Sequence, residues 1–331
     1  MAEIVIGIGT SHGPMLVTPP QTWGARVPDD RQARHPYKAQ TLSYDELVAL
    51  RQAEALSEQI GEAVWERRHA QCRRAIDELA RRLAEARADL AVIVGNDQME
   101  VFRSGLIPAL CVFTGESFSS QPFSDERLAQ LPPGVRHSIP GYVPAEGAQY
   151  ASDPALARVI VETAIRSGFD VATMDRLPGD ETPHAFGFVF RQLMHDEPIP
   201  SIPVLVNTFY PPNQPRLRRC FEFGKLIAQA ISSWEVDARV ALIASGGLSH
   251  FVIDEDLDRA IFDALAAADI TALETRGEAY FQGGSSEIKN WIPLAGAMSE
   301  TELTMSVVDY VPCYRSEAGT GNAMGFASWS R

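Results

Sequence analysis

The chain has 331 residues, of which 45% are hydrophobic and 22% are charged, so it can bury a sizeable core and is not an intrinsically disordered protein. Its formal net charge is −14, and no block of lysine and arginine occurs along it. This charge pattern argues against a nucleic-acid-binding or anionic-membrane-binding protein, so we expect a small-molecule partner.

Short apolar runs rich in valine, isoleucine and leucine predict strands that are covered on both faces. They are Ile4 to Ile8, Leu90 to Val94, Ala109 to Phe113, Val171 to Met174, Ile202 to Asn207 and Val240 to Ala244. Helical patterns lie at Tyr44 to Ala88, Pro154 to Ser167, Leu217 to Ser232 and Glu255 to Leu273. The alternation predicts an α/β fold, a three-layer α/β/α domain around a mostly parallel or mixed sheet.

The length suits one large domain or two ordinary ones, and no clear linker divides residues 1–331. The charged segment 44–88 predicts two amphipathic helices, the second packed on the sheet. Residues 17–43 and 115–147 are rich in proline and turn signals, which predicts two elaborated loops. Long loops within a compact domain often form lids or binding surfaces, so we expect them to cover the site.

Neither the cysteines nor the N-terminus indicates export. Cys72, Cys111, Cys220 and Cys313 form no CxxC pair, which is typical of reduced thiols in a cytosolic protein. The N-terminus lacks a basic region, and its apolar run breaks at Gly9, too early for a signal peptide. Since no apolar run reaches ~18 residues, we expect a cytoplasmic protein without a membrane span.

Polar side chains gather where the predicted strands end. The first strand leads to His12, the second to Asn96, Asp97 and Gln98, the fourth to a loop with His184, and the sixth to SGGLSH with His250. In open α/β sheets the ligand crevice lies beyond the carboxyl ends of the strands, so these groups are expected to converge.

Imidazole, carboxylate and amide groups around open coordination positions are typical of Fe(II), Mn(II) or Zn(II) sites. Structural alternatives exist, because His12 could hydrogen-bond a loop and His250 could fasten its Gly-Gly turn. His184 follows acidic residues that would raise its pKa toward acid-base use. His35, His69, His137 and His195 lie in charged surroundings typical of the surface. A serine hydrolase is disfavoured, because Ser249 lacks the GxSxG frame.

Several motifs in a shared order make the sequence resemble the class III extradiol ring-cleavage dioxygenases, the superfamily of the protocatechuate 4,5-dioxygenase catalytic subunit. They are GIGTSHGPML, VIVGNDQ, DETPHAFGFVF, IPVLVNTFYPP followed by RRCFEFG, ASGGLSHFVIDEDLDRAIFDAL and YRSEAGTGNAMGFASW. The N-terminus and the region before the second strand are most similar to the gallate and 3-O-methylgallate dioxygenase branch.

The resemblance implies a single α/β/α domain and a ferrous ion held by two histidines and one glutamate, with room for a catecholic substrate and O2. It places the first metal ligand on His12 and the acid-base histidine on His184. It gives His250, in the Gly-Gly-x-Ser-His signature, a catalytic or orienting role.

Two positions depart from the family pattern. Gln98 stands where the family has a histidine ligand, and the family glutamate falls on Asp256, with Glu255 adjacent. Three explanations compete. Gln98 ligates through its amide oxygen, assisted by Glu100 or Asp97; or His35 or His69 completes the set; or the site binds metal poorly, as in a repurposed homologue. Harder oxygen ligands also admit Mn(II) or Zn(II).

The resemblance implies cleavage of a catecholic or gallate-type aromatic acid with O2. Thr320 and Asn322 in SEAGTGNAMG are the predicted carboxylate anchors, the alternative being a glycine-rich turn that closes the last strand. It also implies a homo-oligomer such as a dimer, with loop cover or a separate small lid subunit. The rival functions are a non-catalytic homologue or subunit and a metal-dependent hydrolase.

Overall fold

The structure, a computed structural model, describes residues 1–102, 105–131 and 133–331. The strands are β1 Glu3–Thr10, β2 Arg34–Tyr37, β3 Gln40–Ser43, β4 Leu90–Asn96, β5 Leu110–Phe113, β6 Ser117–Ser120, β7 Ala148–Ala151, β8 Ala172–Met174, β9 Ser201–Val206, β10 Arg239–Ser245, β11 His250–Val252, β12 Thr304–Tyr314 and β13 Thr320–Ser330. The helices are α1 Val27–Gln32, α2 Tyr44–Leu50, α3 Glu62–Ala86, α4 Asp125–Gln130, α5 Pro133–Arg136, α6 Pro154–Arg166, α7 His184–Phe188, α8 Leu217–Ser233, α9 Glu255–Ala267, α10 Thr271–Arg276 and α11 Ile288–Met298.

The central sheet of the described chain has nine strands in the order β11-β13-β1-β10-β4-β9-β5-β8, with β12 paired to β13. Strands β1, β10, β4 and β9 run parallel to one another. The long strand β13 runs antiparallel to β1, β11 and β12. Since parallel strands end at the same edge, the loops after β1, β4 and β10 open side by side.

Side chains that alternate along β4 reach opposite faces of the sheet. Leu90, Val92 and Val94 join the hydrophobic core built with α6, α8 and α11. Ala91 and Ile93 join a second core, which is built largely with α3, with α7 and with the residues after α7 as far as Met194. Two cores on two faces give the three layers, so the predicted α/β fold with a mixed sheet is confirmed.

The predicted strands and helices are all found with shifts at their ends. The segment 44–88 forms the two predicted helices α2 and α3, and α3 packs against β1, β12 and β13. The predicted helix from Glu255 to Leu273 is broken into α9 and α10. The loops 17–43 and 115–147 contain short elements, among them the hairpin β2–β3 and helix α4, while residue 132 lies outside the described residues.

Three strands of the central sheet, β11, β12 and β13, and the core helix α11 were not predicted. Strand β13 is rich in glycine, alanine and serine, so it lacks the branched residues that signal a strand. Helix α11 is buried on every side and contains Pro293, so it shows no amphipathic period. Its identity as a core helix follows only from its packing against α8.

The four cysteines are buried and free. Within the described residues, no helix combines the length and the apolar character that a membrane crossing requires.

Helices α8 and α11 approach so closely that Gly224 can carry no side chain. A Cβ atom built on Gly224 would collide with the carbonyl oxygen of Pro293. We expect Gly224→Ala to lower the free energy of unfolding by about 1–3 kcal/mol, because the packed helices must separate to admit the methyl group. Urea unfolding measures the change, with the exposed Ser232→Ala on α8 as the control. Equal midpoints for the two variants would contradict the packing argument.

Candidate metal centre

Three parallel strands deliver polar groups to one edge of the sheet. His12 follows β1 by two residues, Asn96 ends β4, and Ser245 ends β10. All three are buried. The segment before α11 brings Glu287 to the same edge, where it is 5% exposed. The predicted convergence of strand ends therefore occurs, and it includes a carboxylate that the sequence reading did not select.

Glu287 lies at the middle of the cluster. Its Oε2 atom lies 3.1 Å from Nε2 of His12 and 3.7 Å from Nε2 of His250. Its Oε1 atom accepts hydrogen bonds from the side-chain amides of Asn96 at 3.3 Å and Gln98 at 3.2 Å. The carboxylate is thus held from one side by amides and faces imidazole nitrogens on the other.

Gly247 completes the support of this carboxylate. Its backbone N–H donates to Oε2 of Glu287 at 2.9 Å. A Cβ atom on Gly247 would collide with the imidazole of His250, so glycine is needed here for the ring and the amide to share the space. The Gly-Gly turn of the SGGLSH motif therefore positions the carboxylate as well as His250.

The hydrogen bonds of His12 fix its tautomer. Ser245 Oγ donates its proton to the carbonyl of Ala185 at 2.6 Å, so it can only accept from His12 Nδ1, 3.0 Å away. The Nε2 atom of His12 therefore carries a lone pair in the neutral ring. That atom is buried without a hydrogen-bond partner, although it lies against the Glu287 carboxylate.

His184 and His250 repeat this arrangement. Nδ1 of His184 lies 2.8 Å from Oε2 of Glu100, and Nδ1 of His250 lies 2.8 Å from the carbonyl of Leu248. Both partners only accept hydrogen bonds, so in both rings Nδ1 carries the proton. Histidines that ligate a metal through one nitrogen usually donate from the other in this way.

The donor set fits a divalent metal. One ligand atom from each of His12, His184 and Glu287 lies within 4.8 Å of the others. Two imidazoles and a carboxylate with open positions are the typical donors for non-haem Fe(II). A buried nitrogen lone pair that faces a carboxylate is unfavourable unless a cation lies between them, and a metal ion would satisfy both groups.

The electrostatics of the cluster are strongly coupled. Burial lowers the pKa of His12, against the attraction of Glu287. Burial opposes protonation of His184, but the charge and hydrogen bond of Glu100 raise its pKa to about 9. Burial would raise the pKa of Glu287, yet His12 and His250 hold it well below its usual range. Glu287 is therefore a carboxylate, ready to bind a cation.

The structure corrects the predicted carboxylate ligands. Glu255 accepts a hydrogen bond from the hydroxyl of Tyr314 at 2.8 Å. Asp256 is 65% exposed and pairs with Arg259 at 2.5 Å, at the surface of α9. Neither belongs to the group of side chains that could hold a metal, in which the carboxylate is that of Glu287.

Gln98 lies at the centre, as expected, but in a different orientation. Its amide nitrogen faces Glu287, and its oxygen accepts from the hydroxyl of Tyr210 at 3.4 Å. Ligation through the oxygen would require the amide to turn over. Of the residues named as its helpers, Asp97 caps the backbone amides of residues 100–102, and Glu100 holds His184.

The alternative histidines lie elsewhere. Nε2 of His35 donates to the backbone carbonyl of Asp30 at 2.9 Å, and the residue is 3% exposed. It is therefore buried rather than at the surface as predicted. His69 packs its ring against Trp23. Neither joins the candidate metal-binding group, in which the second histidine is His184.

The structure places the two predicted substrate anchors, Thr320 and Asn322, in different surroundings. Thr320 is completely buried, and its hydroxyl donates to Asp30 Oδ2 at 2.7 Å while contacting Ser316. This hydroxyl is already engaged, which argues against a contact with substrate. Asn322 lines the cavity at the metal centre together with His12 and Glu287.

Two neighbouring cavities open at the centre. The first, of about 180 Å³, contacts the imidazoles of His12, His184 and His250 and also Arg26. The second, of about 340 Å³, shares Pro14, Gln98 and His184 with it and is lined mainly by apolar residues of segment 115–147. Both irregular segments predicted from the sequence therefore contribute to the walls of the site.

Comparison with known proteins identifies the family. Residues 57–321 match the family described as the catalytic LigB subunit of aromatic ring-opening dioxygenase. This match covers well over half of the chain. The chain belongs to this family. The matched range contains His184, His250 and Glu287, while His12 precedes it.

Curated relatives agree with this assignment at low identity. The chain is 28% identical over 160 residues to gallate dioxygenase of Pseudomonas putida, covering 44% of this chain and 45% of the relative. It is 27% identical over 179 residues to 2,3-dihydroxyphenylpropionate/2,3-dihydroxicinnamic acid 1,2-dioxygenase of Photorhabdus laumondii, covering 54% and 48%. The chain thus spans about half the length of the curated relatives it matches.

Among solved structures, the chain is similar to uncharacterized protein JW3007 from Escherichia coli K12. The TM-score is 0.47 at 16% identity, over 77% of this chain and 91% of the other.

The sequence reading missed Glu287 and Arg26. Glu287 lies in GGSSEIKNW, directly before an apolar helix, and an acidic residue in a serine- and glycine-rich turn next to a buried helix is the signal that could have found it. Arg26 lies in a proline-rich loop, where no helical or strand periodicity in the sequence distinguishes the side chains that point inward.

Ser245 is expected to control metal affinity through His12. In Ser245→Ala, His12 Nδ1 loses its acceptor, so the ring is no longer held with Nε2 toward Glu287. We expect metal affinity to fall about 10- to 100-fold. Anaerobic Fe(II) titration against a competing chelator measures this, with Ser232→Ala as the control and thermal unfolding as a check on folding. Unchanged affinity would show that Ser245 does not orient a ligand.

Replacement of Gln98 by histidine tests the departure from the family pattern. Because its side chain already reaches Glu287 at 3.2 Å, an imidazole here lies within reach of the metal. We expect Gln98→His to bind Fe(II) at least as tightly as the parent protein, measured by the same titration. The exposed Gln229→His is the matched control. Weaker binding in Gln98→His alone would mean that this position does not face the metal.

Proposed function

We propose that this protein is a non-haem, metal-dependent extradiol dioxygenase that opens the ring of a catecholic or gallate-type aromatic acid with O2. Fe(II) is the proposed metal. Mn(II) and Zn(II) are the alternatives, because they also bind imidazole or carboxylate ligands. The observation that carries the proposal is the convergence of one imidazole nitrogen each from His12 and His184 with the carboxylate of Glu287. Membership of the ring-opening dioxygenase family supports it.

In this proposal His12, His184 and Glu287 hold the metal. A bound ferrous ion would supply the redox chemistry for the reaction of the diol with O2. The amides of Asn96 and Gln98 keep the Glu287 carboxylate in place through their bonds to Oε1. Glu100 holds His184 by both its ring nitrogen and its backbone N–H.

His250 is then the residue that handles the proton. Its Nδ1–H is tied to the carbonyl of Leu248, and its Nε2 faces the cavity beside Glu287. Burial opposes a charge on His250, but Glu287 raises its pKa, which favours uptake of a proton from a phenolic hydroxyl. The sequence reading assigned proton transfer to His184, and the geometry favours His184 as a metal ligand instead.

The cavity supports an aromatic substrate. Phe209 and Phe251 contribute walls to the space of about 180 Å³ at the centre. A cavity of about 150 Å³ is sufficient for one benzene ring. The relatives' names, gallate dioxygenase and 2,3-dihydroxyphenylpropionate/2,3-dihydroxicinnamic acid 1,2-dioxygenase, both refer to aromatic acids with adjacent hydroxyls. The homodimer, the small lid subunit and the cytoplasmic location stay predictions.

An anaerobic reconstitution with Fe(II), followed by an oxygen-electrode screen of catechols and gallates, tests the function. We expect oxygen uptake together with loss of the aromatic absorbance of the substrate. A hydrolase would consume no oxygen, and a non-catalytic homologue would change neither signal. Metal binding without oxygen uptake across the screen would overturn the dioxygenase proposal.

Substitution of His250 separates proton transfer from metal binding. We expect His250→Gln to keep its Fe(II) content but to lower kcat by about 10²–10⁴-fold, because no imidazole accepts the phenolic proton. Elemental analysis and oxygen uptake measure the two properties. The exposed His137→Gln is the control and should change neither. Loss of iron from His250→Gln would place His250 among the metal ligands.

A further inference from the structure

Arg26 is a cation at the wall of the candidate active site. It lies in the irregular segment 17–43 and lines the same cavity as His12, Glu287 and Asn322. It is half-buried. The structure gives the guanidinium of Arg26 no hydrogen bond or ion pair with any of the described residues. Arg315, by contrast, pairs with Asp30.

The ion pair between Asp30 and Arg315 explains why the guanidinium of Arg26 has no carboxylate partner. Asp30 is the buried carboxylate of this region, and both of its oxygens accept from Arg315 at 2.7 Å. Oδ2 of Asp30 also accepts from Thr320. The charge of Arg315 is therefore compensated, and Asp30 cannot offer a second guanidinium the two-oxygen pairing that it gives Arg315.

The uncompensated charge of Arg26 is unfavourable in this place. Burial and the positive charge of Arg315 lower its pKa, while Asp30, Asp29 and Tyr142 act in the opposite direction. Arginine remains charged in proteins, and a partly desolvated cation requires a counter-charge. A guanidinium that faces a cavity without a protein partner is suited to bind a carboxylate through two parallel hydrogen bonds.

Asn322 adds a neutral polar group to the same wall. Its side chain has no hydrogen-bond partner among the described residues and lies against Gly13, next to His12. An amide can donate to a carboxylate oxygen without adding charge. The cavity thus combines a metal-binding end at His12 and Glu287 with an anion-binding pair, Arg26 and Asn322.

We propose that Arg26, assisted by Asn322, binds the carboxylate of the ring substrate and selects aromatic diols that carry an anionic substituent. This inference rests on the proposed function and names the substrate class of the same site. Arg26 takes the role that the sequence had assigned to Thr320, whose hydroxyl is engaged by Asp30.

Direct binding to the Fe(II)-loaded protein without oxygen tests the proposal. The probes are 3,4-dihydroxybenzoate and 3,4-dihydroxybenzamide, which have nearly the same shape but differ in charge. Calorimetry gives Kd for the parent protein and for Arg26→Gln, Arg26→Lys and Arg158→Gln. Arg158 is exposed on α6, so its substitution removes one positive charge away from the site.

We expect Arg26→Gln to weaken binding of the benzoate by about 10- to 100-fold and to leave binding of the benzamide within about twofold. Arg26→Lys should recover part of the benzoate affinity, because it restores the charge without the planar fork. Arg158→Gln should match the parent protein with both probes. Higher salt should weaken benzoate binding more in the parent protein than in Arg26→Gln.

Two other outcomes would overturn the proposal in distinguishable ways. If Arg26→Gln weakens both probes equally, or neither, Arg26 does not recognise the carboxylate, while the proposed function stands. If the parent protein binds neither diol, this inference fails, and the oxygen-electrode screen shows whether the proposed function fails with it. Thermal unfolding of each variant shows whether a loss of affinity reflects a loss of folding.

Discussion

The contact between the carboxylate of Glu287 and the imidazole nitrogen of His12 constrains the rest of the site. Two groups that both present lone pairs are held 3.1 Å apart in a buried space. Such an arrangement is stable only if a cation, either a proton or a metal ion, lies between them. The surrounding amides of Asn96, Gln98 and Gly247 keep the carboxylate from turning away. The folded chain therefore forms the ligand geometry in advance.

The outer partners of the imidazoles come from separate parts of the fold. His12 is oriented by Ser245 at the end of β10, His184 by Glu100 in the loop after β4, and His250 by the carbonyl of Leu248. In each ring the partner engages Nδ1 and leaves Nε2 available for another contact. Because β1, β10 and β4 are neighbours in the sheet, their relative positions set the distances within the centre. A rigid parallel sheet is well suited to such a centre.

The irregular segments determine which ligand the centre receives. Segment 17–43 contributes Arg26 to the cavity at the metal centre, and segment 115–147 contributes most of the apolar wall of the adjoining cavity. The pairing of Asp30 with Arg315 is what leaves Arg26 available. Chemistry and selectivity thus depend on different parts of the chain, the sheet edge and the loops that cover it.

The sequence alone determined the layered fold and the place of the site, because continuous apolar runs mark covered strands and ligands bind beyond their carboxyl ends. It selected His12, His184 and His250 for this reason. It failed for the carboxylate, choosing Glu255 and Asp256, because the turn that carries Glu287 follows no predicted strand and only packing brings it to the strand ends. Only the tertiary structure brought Glu287 against His12, and only the ion pairs around Asp30 left Arg26 without a partner.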